Sequence, residues 1–279
     1  MIYVSGASGF IGSALCAELS RAGRQYAALE LRTDSQMLPF GAGDSVVHLA
    51  AIAHARGVSR DALRAVNVDL AVRVGEAAAK AGARMLFLSS VKVHGEESVE
   101  PLREGSPIAP RDPYAQSKAL AEQRLSGVAD LRLTTLRPPL VYGPRVRANF
   151  LALMKGIDRR MPLPFGALAN RRSLIYVGNL VDAILFCMRS AQAVGRCYLL
   201  SDGAALSTPE LCRQIGAALA RPARLFAAPR ALLELLPGAK RLTRSLEVDD
   251  AALRGDLGWR APFGVAEGLS ATAAWYRAR

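Results

Sequence analysis

Short apolar runs alternate with longer amphipathic stretches along the first 140 residues. The runs are rich in β-branched and aliphatic side chains, and the stretches between them are rich in alanine with apolar positions three and four residues apart. This alternation is typical of a parallel sheet with crossover helices. Strands are predicted at 2–6, 26–31, 45–50, 84–89 and 131–138, with helices at 10–22, 62–82 and 113–126.

The pattern changes after Gly143. Prolines and glycine interrupt the chain near residues 162–166, and then strands at 174–177 and 197–202 flank a predicted helix over 180–189. The rest reads as mostly helical with proline breaks. We therefore expect a nucleotide-binding domain and a smaller C-terminal substrate lobe, divided as 1–143 completed by about 173–205, against 144–172 and 206–279.

Composition restricts the class of protein. The chain has 279 residues, of which 51% are hydrophobic and 22% charged, so it can bury a large core. Its apolar runs fall short of the ~20 residues of a membrane span, and no basic segment precedes the apolar start, so we expect a cytoplasmic protein. The four scattered cysteines and three distant histidines predict neither a disulfide framework nor a metal site.

The net charge of +12 raises the question of a nucleic-acid partner. The basic residues come as dispersed pairs without interleaved aromatics, which argues against nucleic-acid binding. Two interpretations remain open, a solvated arginine-rich surface and a positive field around a site for phosphorylated ligands.

A glycine-rich turn follows the first predicted strand and opens the first predicted helix. Glycine permits a sharp turn and lets backbone N–H groups approach a pyrophosphate, while the helix N-terminus adds partial positive charge. The turn therefore predicts dinucleotide binding, and its candidate contacts are Gly6, Ser8, Gly9, Phe10, Ile11 and Gly12.

A second motif carries the candidate chemistry. Asp112 and Pro113 are a good helix cap and first helical residue, so Tyr114 and Lys118 are expected to share one helix face. A phenol needs a lowered pKa to transfer protons near neutrality, and a nearby lysine together with a cationic nicotinamide would lower it.

The GxxGxxG spacing at residues 6–12, YxxxK at 114–118 and LRPPLVYGP at 136–144 resemble the extended short-chain dehydrogenases/reductases of the NAD-dependent epimerase/dehydratase family. The resemblance covers nearly the whole chain. It implies a Rossmann-type doubly wound parallel sheet and a catalytic group of Ser90, Tyr114 and Lys118. Further cofactor contacts implied by it are Leu49, Ala50, Ala51, Asn67, Tyr114, Lys118 and Pro138.

The end of the second strand bears on the choice of cofactor. Glu30 lies 18 residues after Gly12 and would accept from the adenosine ribose hydroxyls of NAD, whereas Arg32 could meet the 2′-phosphate of NADP. We expect NAD, with NADP as the alternative. The short spacing before the third strand predicts that one edge strand is missing, and with it the family's adenine-binding loop.

On the substrate side, the resemblance implies a UDP-sugar. Its candidate contacts are Ser90, Lys92, Asn149, Arg172 and Arg244, of which Arg172 would bind diphosphate. Tyr176 and Asn179 replace a histidine and an aspartate of the family, which we interpret as scaffold positions. By the same resemblance, helices 62–82 and 113–126 could form a homodimer.

Positions 91 and 92 bear on the reaction. Dehydratases of the family carry an Asp-Glu pair directly after the catalytic serine or threonine, and here Val91 and Lys92 stand in those places. Dehydration is therefore not expected. C4 epimerisation of a UDP-hexose or UDP-N-acetylhexosamine and net reduction of a UDP-4-keto-6-deoxy-N-acetylhexosamine both remain open.

The run SSVKVHGE (89–96) resembles a subgroup that acts on UDP-N-acetylhexosamines in bacterial surface-polysaccharide synthesis and that includes both activities. Lys92 itself has two interpretations, a surface lysine and a substrate contact. A non-catalytic dinucleotide-sensing protein is the alternative of another class, although the retained tyrosine and lysine argue against it.

Overall fold

The computed structural model describes residues 1–31, 38–53, 57–235 and 239–279. Six parallel strands form its central sheet, which confirms the predicted fold class. Their order across the sheet is β2 (Tyr26–Leu29), β1 (Ile2–Ser5), β3 (Ser45–His48), β4 (Arg84–Leu88), β5 (Arg132–Arg137) and β9 (Cys197–Leu199).

The strands are shorter than the apolar runs that predicted them. β3 ends at His48 and β4 at Leu88, so the polar and small residues that follow lie in loops at the carboxyl edge of the sheet. In the described part of the chain β2 forms one edge of the sheet, as the short spacing before β3 predicts.

Helices cover both faces of the sheet, so alternate side chains of the central strands are buried on opposite sides. On β4, Leu86 and Leu88 pack in the cluster that contains Leu15 and Ile184, whereas Phe87 packs in the cluster that contains Ala121. The helices of the first cluster are α1 (Phe10–Arg21), α6 (Val177–Arg189) and α10 (Ala251–Leu257), and those of the second are α3 (Leu70–Lys80) and α4 (Pro113–Ser126).

The helix predicted over 62–82 differs in its detail. It begins earlier with α2 (Arg60–Arg64), where the Ser59 hydroxyl accepts the Ala62 N–H at 3.1 Å. A π-helical turn at Ala65–Asp69 then separates α2 from α3. A π-turn is wider than an α-turn, and here it contains the buried Asn67.

A second core lies under the C-terminal helices α5 (Ala148–Asp158), α7 (Thr208–Ala218) and α11 (Val265–Arg277). The division into two lobes at the predicted boundaries stays a prediction. The remaining elements are β6 (Leu140–Tyr142) paired with β8 (Leu174–Tyr176), β7 (Pro162–Leu163) paired with β10 (Arg224–Leu225), and the short helices α8 (Arg230–Leu233) and α9 (Lys240–Thr243). Among the helices of the described residues, none combines the length and apolar character of a membrane span.

Candidate active site

The glycine turn closes tightly between β1 and α1. Gly6 has a φ of +70°, and its carbonyl accepts the Gly9 N–H at 3.0 Å. A Cβ on Gly12 would lie 2.1 Å from the Gly6 oxygen, and a Cβ on Gly6 would lie 2.8 Å from the Ala50 nitrogen. Only glycine fits these two positions, because any side chain would collide with backbone.

The first turn of α1 is suited to an anion. Its cap residue Gly9 supplies no side-chain hydrogen bond, and the first turn contains no acidic residue. The N–H groups of a 12-residue helix therefore present their partial positive charge beside the turn. Ser8 and Gly9 are exposed there, while Phe10 and Ile11 are half-buried.

The loop after β3 lies against this turn. The Ser5 hydroxyl accepts the N–H groups of Leu49 at 3.1 Å and Ala50 at 3.3 Å and donates to Nδ1 of His48 at 3.0 Å. Leu49 and Ala50 are thereby fixed next to Gly6, and the half-buried Ala51 follows. This arrangement of glycines, uncapped helix and small residues fits a dinucleotide.

His48 is fully buried on this strand end. Burial, and to a smaller extent the charge of Lys118, lowers the pKa of His48 to about 3. Its ring is therefore neutral, and its Nε2 has no hydrogen-bond partner in the described part of the chain.

Asn67 joins the β3 loop to the helix of the predicted catalytic pair. Its Oδ1 accepts the Ile52 N–H at 2.8 Å, and its Nδ2 donates to the Ile52 carbonyl at 3.2 Å and to Ser117 Oγ at 2.8 Å. Ser117 in turn donates to the Tyr114 carbonyl at 2.7 Å. Asn67 therefore connects the loop after β3 to α4, and its predicted cofactor contact stays a prediction.

Ser90 and Tyr114 come together at the carboxyl edge of the sheet. Ser90 follows β4 and caps a 3₁₀ turn at Val91–His94. Asp112 caps α4 by accepting the Ala115 N–H at 2.7 Å, and Pro113 is the first helical residue, both as predicted. The Ser90 hydroxyl lies close enough to the Tyr114 phenol to lower the pKa of that phenol.

The pKa of Tyr114 is raised, whereas a lowered pKa of this phenol is expected from the sequence. Burial first and the Asp112 carboxylate second raise the pKa of Tyr114 to about 12, and the nearby Ser90 hydroxyl opposes this shift. Burial lowers the pKa of Lys118 to about 7. Because the Lys118 ammonium donates to the Leu88 carbonyl at 2.7 Å and lies 4.6 Å from the centre of the Phe87 ring, it is engaged with β4.

Pro138 lies beside the serine turn, where its carbonyl accepts the Val91 N–H at 2.9 Å. Lys92, one residue further, forms ion pairs with Asp112 and, at 3.0 Å, with Glu96. Its side chain is 23% exposed, so Lys92 is not a plain surface lysine. Contact with a substrate stays a prediction.

Two of the candidate substrate contacts, Arg172 and Arg244, meet near this turn. Arg172 donates to the Arg244 carbonyl at 2.9 Å, and burial lowers the pKa of its guanidinium to about 10. The Arg244 side chain pairs with Glu97 at 2.5 Å and Glu234 at 3.1 Å. Asn149 is exposed on the first turn of α5, and no hydrogen bond joins it to this group in the described residues.

The candidate contacts at the end of β2 are only partly described. Glu30 is exposed directly after the strand. Arg32 lies outside the described residues. The two contacts therefore stay predictions.

Two residues of the site went unrecognised in the sequence, and a third, Asp112, was recognised only as a helix cap. Ser5 and Ser117 hold the loops, and Asp112 contacts Lys92 as well as capping α4. Ser117 lies inside the YxxxK motif, and Asp112 directly precedes its helix, so motif position was the available signal for both. A lone serine at a strand end, as at position 5, carries no such signal.

The chain is similar to known proteins in sequence and in fold. The model of the NAD-dependent epimerase/dehydratase family matches residues 2–200. A UDP-glucose 4-epimerase of Vibrio cholerae is 35% identical over 255 residues, covering 85% of this chain and 77% of that protein. A dTDP-glucose 4,6-dehydratase of Streptomyces griseus is 31% identical over 249 residues, covering 84% and 71%.

A solved structure agrees over nearly the full length. MoeE5 in complex with UDP-glucose and NAD is 26% identical, with a TM-score of 0.77 over 99% of this chain and 98% of that chain. These matches confirm the predicted family, the NAD cofactor and the enzyme class. The chain belongs to the NAD-dependent epimerase/dehydratase family and is an NAD-dependent enzyme of the extended short-chain dehydrogenase/reductase type.

Proposed function

We propose that this enzyme is a UDP-sugar 4-epimerase, which inverts C4 of a UDP-hexose or UDP-N-acetylhexosamine by oxidation and reduction within one turnover. The observation that carries the proposal is that Ser90 acts on the Tyr114 phenol, which shares a helix with the buried Lys118. Where a dehydratase would carry a carboxylate, position 92 holds a lysine that is paired with Asp112. The UDP-glucose 4-epimerase relative and the MoeE5 complex with UDP-glucose and NAD support this substrate class.

The side chains divide the proton chemistry among them. The Tyr114 phenolate takes the proton of the C4 hydroxyl as the C4 hydride leaves, and the phenol returns it when the hydride is replaced on the other face. Ser90 holds the reacting oxygen beside the phenol. When bound, NAD accepts the hydride and gives it back. Lys118, whose pKa is lowered to about 7 by burial, is the cation of the pair.

The two oxygens of Asp112 argue against dehydration. Water elimination needs a carboxylic acid that gives up its proton, but Asp112 Oδ1 accepts the Ala115 N–H and Oδ2 accepts from Lys92. Burial raises the pKa of Asp112, the hydrogen bonds from Lys92 and Ala115 lower it, and the net shift is downward. Asp112 is therefore an ionised cap. The similarity to a dehydratase reflects membership of the same family. An ionised Asp112 cannot donate the proton that dehydration needs, which favours epimerisation.

The arginines provide the support for a diphosphate. Arg172 donates to the Arg244 carbonyl, and Arg244 pairs with Glu97, which lies three residues after the serine turn. Arginine suits phosphate because its planar guanidinium donates in pairs. Binding of the diphosphate by Arg244 would require exchange of its Glu97 partner, which is more than half exposed. The proposal also includes a role in surface-polysaccharide synthesis, an N-acetylated substrate and a homodimer. These three parts are supported by the family resemblance alone.

The test follows the fate of the cofactor. Purified protein is incubated with UDP-N-acetylglucosamine, UDP-glucose and a UDP-4-keto-6-deoxy-N-acetylhexosamine, with the reduced cofactor monitored throughout. An epimerase forms the C4 epimer without net change in NADH. Stoichiometric consumption of NADH with the keto sugar would instead identify a reductase and contradict the proposal.

Two variants separate chemistry from binding. Tyr114→Phe should abolish turnover and leave NAD affinity nearly intact, because only the transferable proton is lost. Tyr276→Phe is the matched control, since its hydroxyl bonds to Asp158 at 3.1 Å on the C-terminal helix and should not affect turnover. Turnover that survives in Tyr114→Phe would overturn the mechanism, and NAD binding without turnover on any UDP-sugar would favour a sensing role.

A further inference from the structure

Lys92 contacts both halves of the candidate catalytic group. Its backbone N–H donates to Ser90 Oγ at 3.3 Å, within the turn that Ser90 caps. Its ammonium binds Asp112, whose other oxygen caps α4 through the Ala115 N–H. Tyr114 lies on the first turn of α4. A single residue therefore connects the serine turn to the start of the tyrosine helix.

The ion pair between Lys92 and Asp112 belongs to a network of charged side chains. Asp112 faces Lys92 and, at 3.7 Å, Arg241 of α9. Glu96 pairs with Lys92 at 3.0 Å and with Arg241 at 3.2 Å, and Arg172 acts on the same group through its charge. Asp112 is thus neutralised by Lys92 at the shortest contact and by Arg241 at a longer one. Removing Lys92 would leave the Asp112 carboxylate less neutralised next to the phenol.

The remaining cation near the phenol is engaged elsewhere. Lys118 on α4 donates to the Leu88 carbonyl of β4. Asp112 is the charged group that acts directly on Tyr114, and it raises the pKa of the phenol. Any change in how well the Asp112 charge is neutralised should therefore change the pKa of the Tyr114 phenol.

We propose that Lys92 is a positioning residue that holds the Asp112 cap against the Ser90 turn and neutralises the carboxylate beside Tyr114. The role rests on the proposed function, because it concerns proton transfer by Tyr114. In this role Lys92 acts on the Asp112 cap of α4 and does not contact the sugar. Arginine would preserve the charge, whereas methionine would preserve only the length.

The experiment compares the pH dependence of kcat/KM in Lys92→Met, Lys92→Arg, Asp112→Asn and the double variant Lys92→Met with Asp112→Asn. In Lys92→Met the limb that rises with pH should move to higher pH, because Asp112 then depends on its longer ion pair with Arg241 and the less neutralised carboxylate disfavours the phenolate. A shift of about one pKa unit corresponds to about a tenfold loss of kcat/KM on that limb. Lys92→Arg should restore the wild-type profile.

The double variant provides the discriminating result. Asparagine can still cap a helix but carries no charge, so the rising limb should return to its wild-type position. A uniform loss of kcat at every pH without this return would mean a merely structural role. A raised KM with unchanged kcat and profile would mean a substrate contact. Either result, or wild-type kinetics in Lys92→Met, overturns the proposal.

A second measurement does not depend on turnover. Carboxyl resonances of protein labelled with ¹³C-aspartate are titrated, and Asp112→Asn assigns the signal of Asp112. The pKa of Asp112 should be higher in Lys92→Met than in the wild type, because the lysine hydrogen bond lowers it. An unchanged pKa overturns the coupling. Absence of turnover on every UDP-sugar would overturn the proposed function instead, so the two failures are distinguishable.

Discussion

Loss of Glu122 should destabilise the protein far more than loss of an exposed glutamate. Arg137 at the end of β5 donates to both Glu122 oxygens, through Nε at 3.1 and 3.2 Å and through Nη2 at 2.5 Å. The two side chains are only 9% and 12% exposed. In Glu122→Ala the guanidinium stays buried without its counter-charge.

His94 shares this arginine, which accounts for a histidine before Gly95. Arg137 Nη1 is 3.0 Å from His94 Nε2 and 3.2 Å from the Glu104 carbonyl. Because a guanidinium only donates, Nε2 accepts, and the proton on Nδ1 is donated to the Pro107 carbonyl at 3.1 Å. A neutral histidine can therefore satisfy Arg137 in part but cannot replace the charge of Glu122.

The expected loss follows from this geometry. Breaking a buried ion pair from one side costs about 3–5 kcal/mol, and the two remaining acceptors of Arg137 place this case near the lower end. At about 2–4 °C per kcal/mol, the midpoint of thermal unfolding should fall by roughly 6–12 °C. The assay is thermal and urea unfolding followed by circular dichroism.

The matched control is Glu18→Ala, since Glu18 and Arg21 form an i,i+3 pair on α1 with side chains 33% and 76% exposed. Its loss should stay within about 1 kcal/mol. Glu122→Leu combined with Arg137→Met should recover most of the stability, because no charge is then left buried. Equal losses for Glu122→Ala and Glu18→Ala would refute the reasoning.

Two further predictions concern the cofactor side. His48, with its pKa lowered to about 3 by burial, contributes stability that is fully present above about pH 6.5 and is lost as the pH falls toward 3, at up to about 1.4 kcal/mol per pH unit. His48→Asn should therefore flatten the pH dependence of urea unfolding between pH 6.5 and 4.5, and an unchanged slope would contradict this. Gly12→Ala should weaken NAD binding by at least about tenfold in calorimetry, because the new Cβ would lie 2.1 Å from the Gly6 oxygen. Gly255→Ala on α10, where a Cβ meets nothing within 4 Å, should bind NAD normally, and equal affinities in the two variants would refute the prediction.

Local signals predicted much of the fold and the central pair. Asp112 and Pro113 determine the start of α4 through backbone geometry, and the helix begins at Pro113 as predicted. Gly9 and Gly12 were equally local, because a Cβ on either would meet backbone of the turn itself, whereas Gly6 is restricted by Ala50 of the loop after β3. Strand ends were predicted too long, since an apolar side chain can continue past the last paired residue, as Leu49 does after β3.

Other features depend on partners distant in the chain. The π-turn around Asn67 depends on bonds to Ile52 and Ser117, which helical periodicity cannot indicate. The position of Lys92 depends on Asp112 and Glu96 lying within reach after folding. The pKa of Tyr114 follows burial and the Asp112 charge, so the presence of a lysine four residues later was not sufficient to predict its direction.

The central claim is that Tyr114 and NAD carry a hydrogen from C4 of a UDP-sugar and return it to the same carbon. The most direct measurement is incubation of the enzyme with a UDP-sugar deuterated at C4, followed by mass spectrometry and NMR of the product. The account predicts the C4 epimer with deuterium retained at C4, no accumulation of NADH, and no product in Tyr114→Phe. Deuterium lost to solvent or moved to C6 with release of water would contradict it.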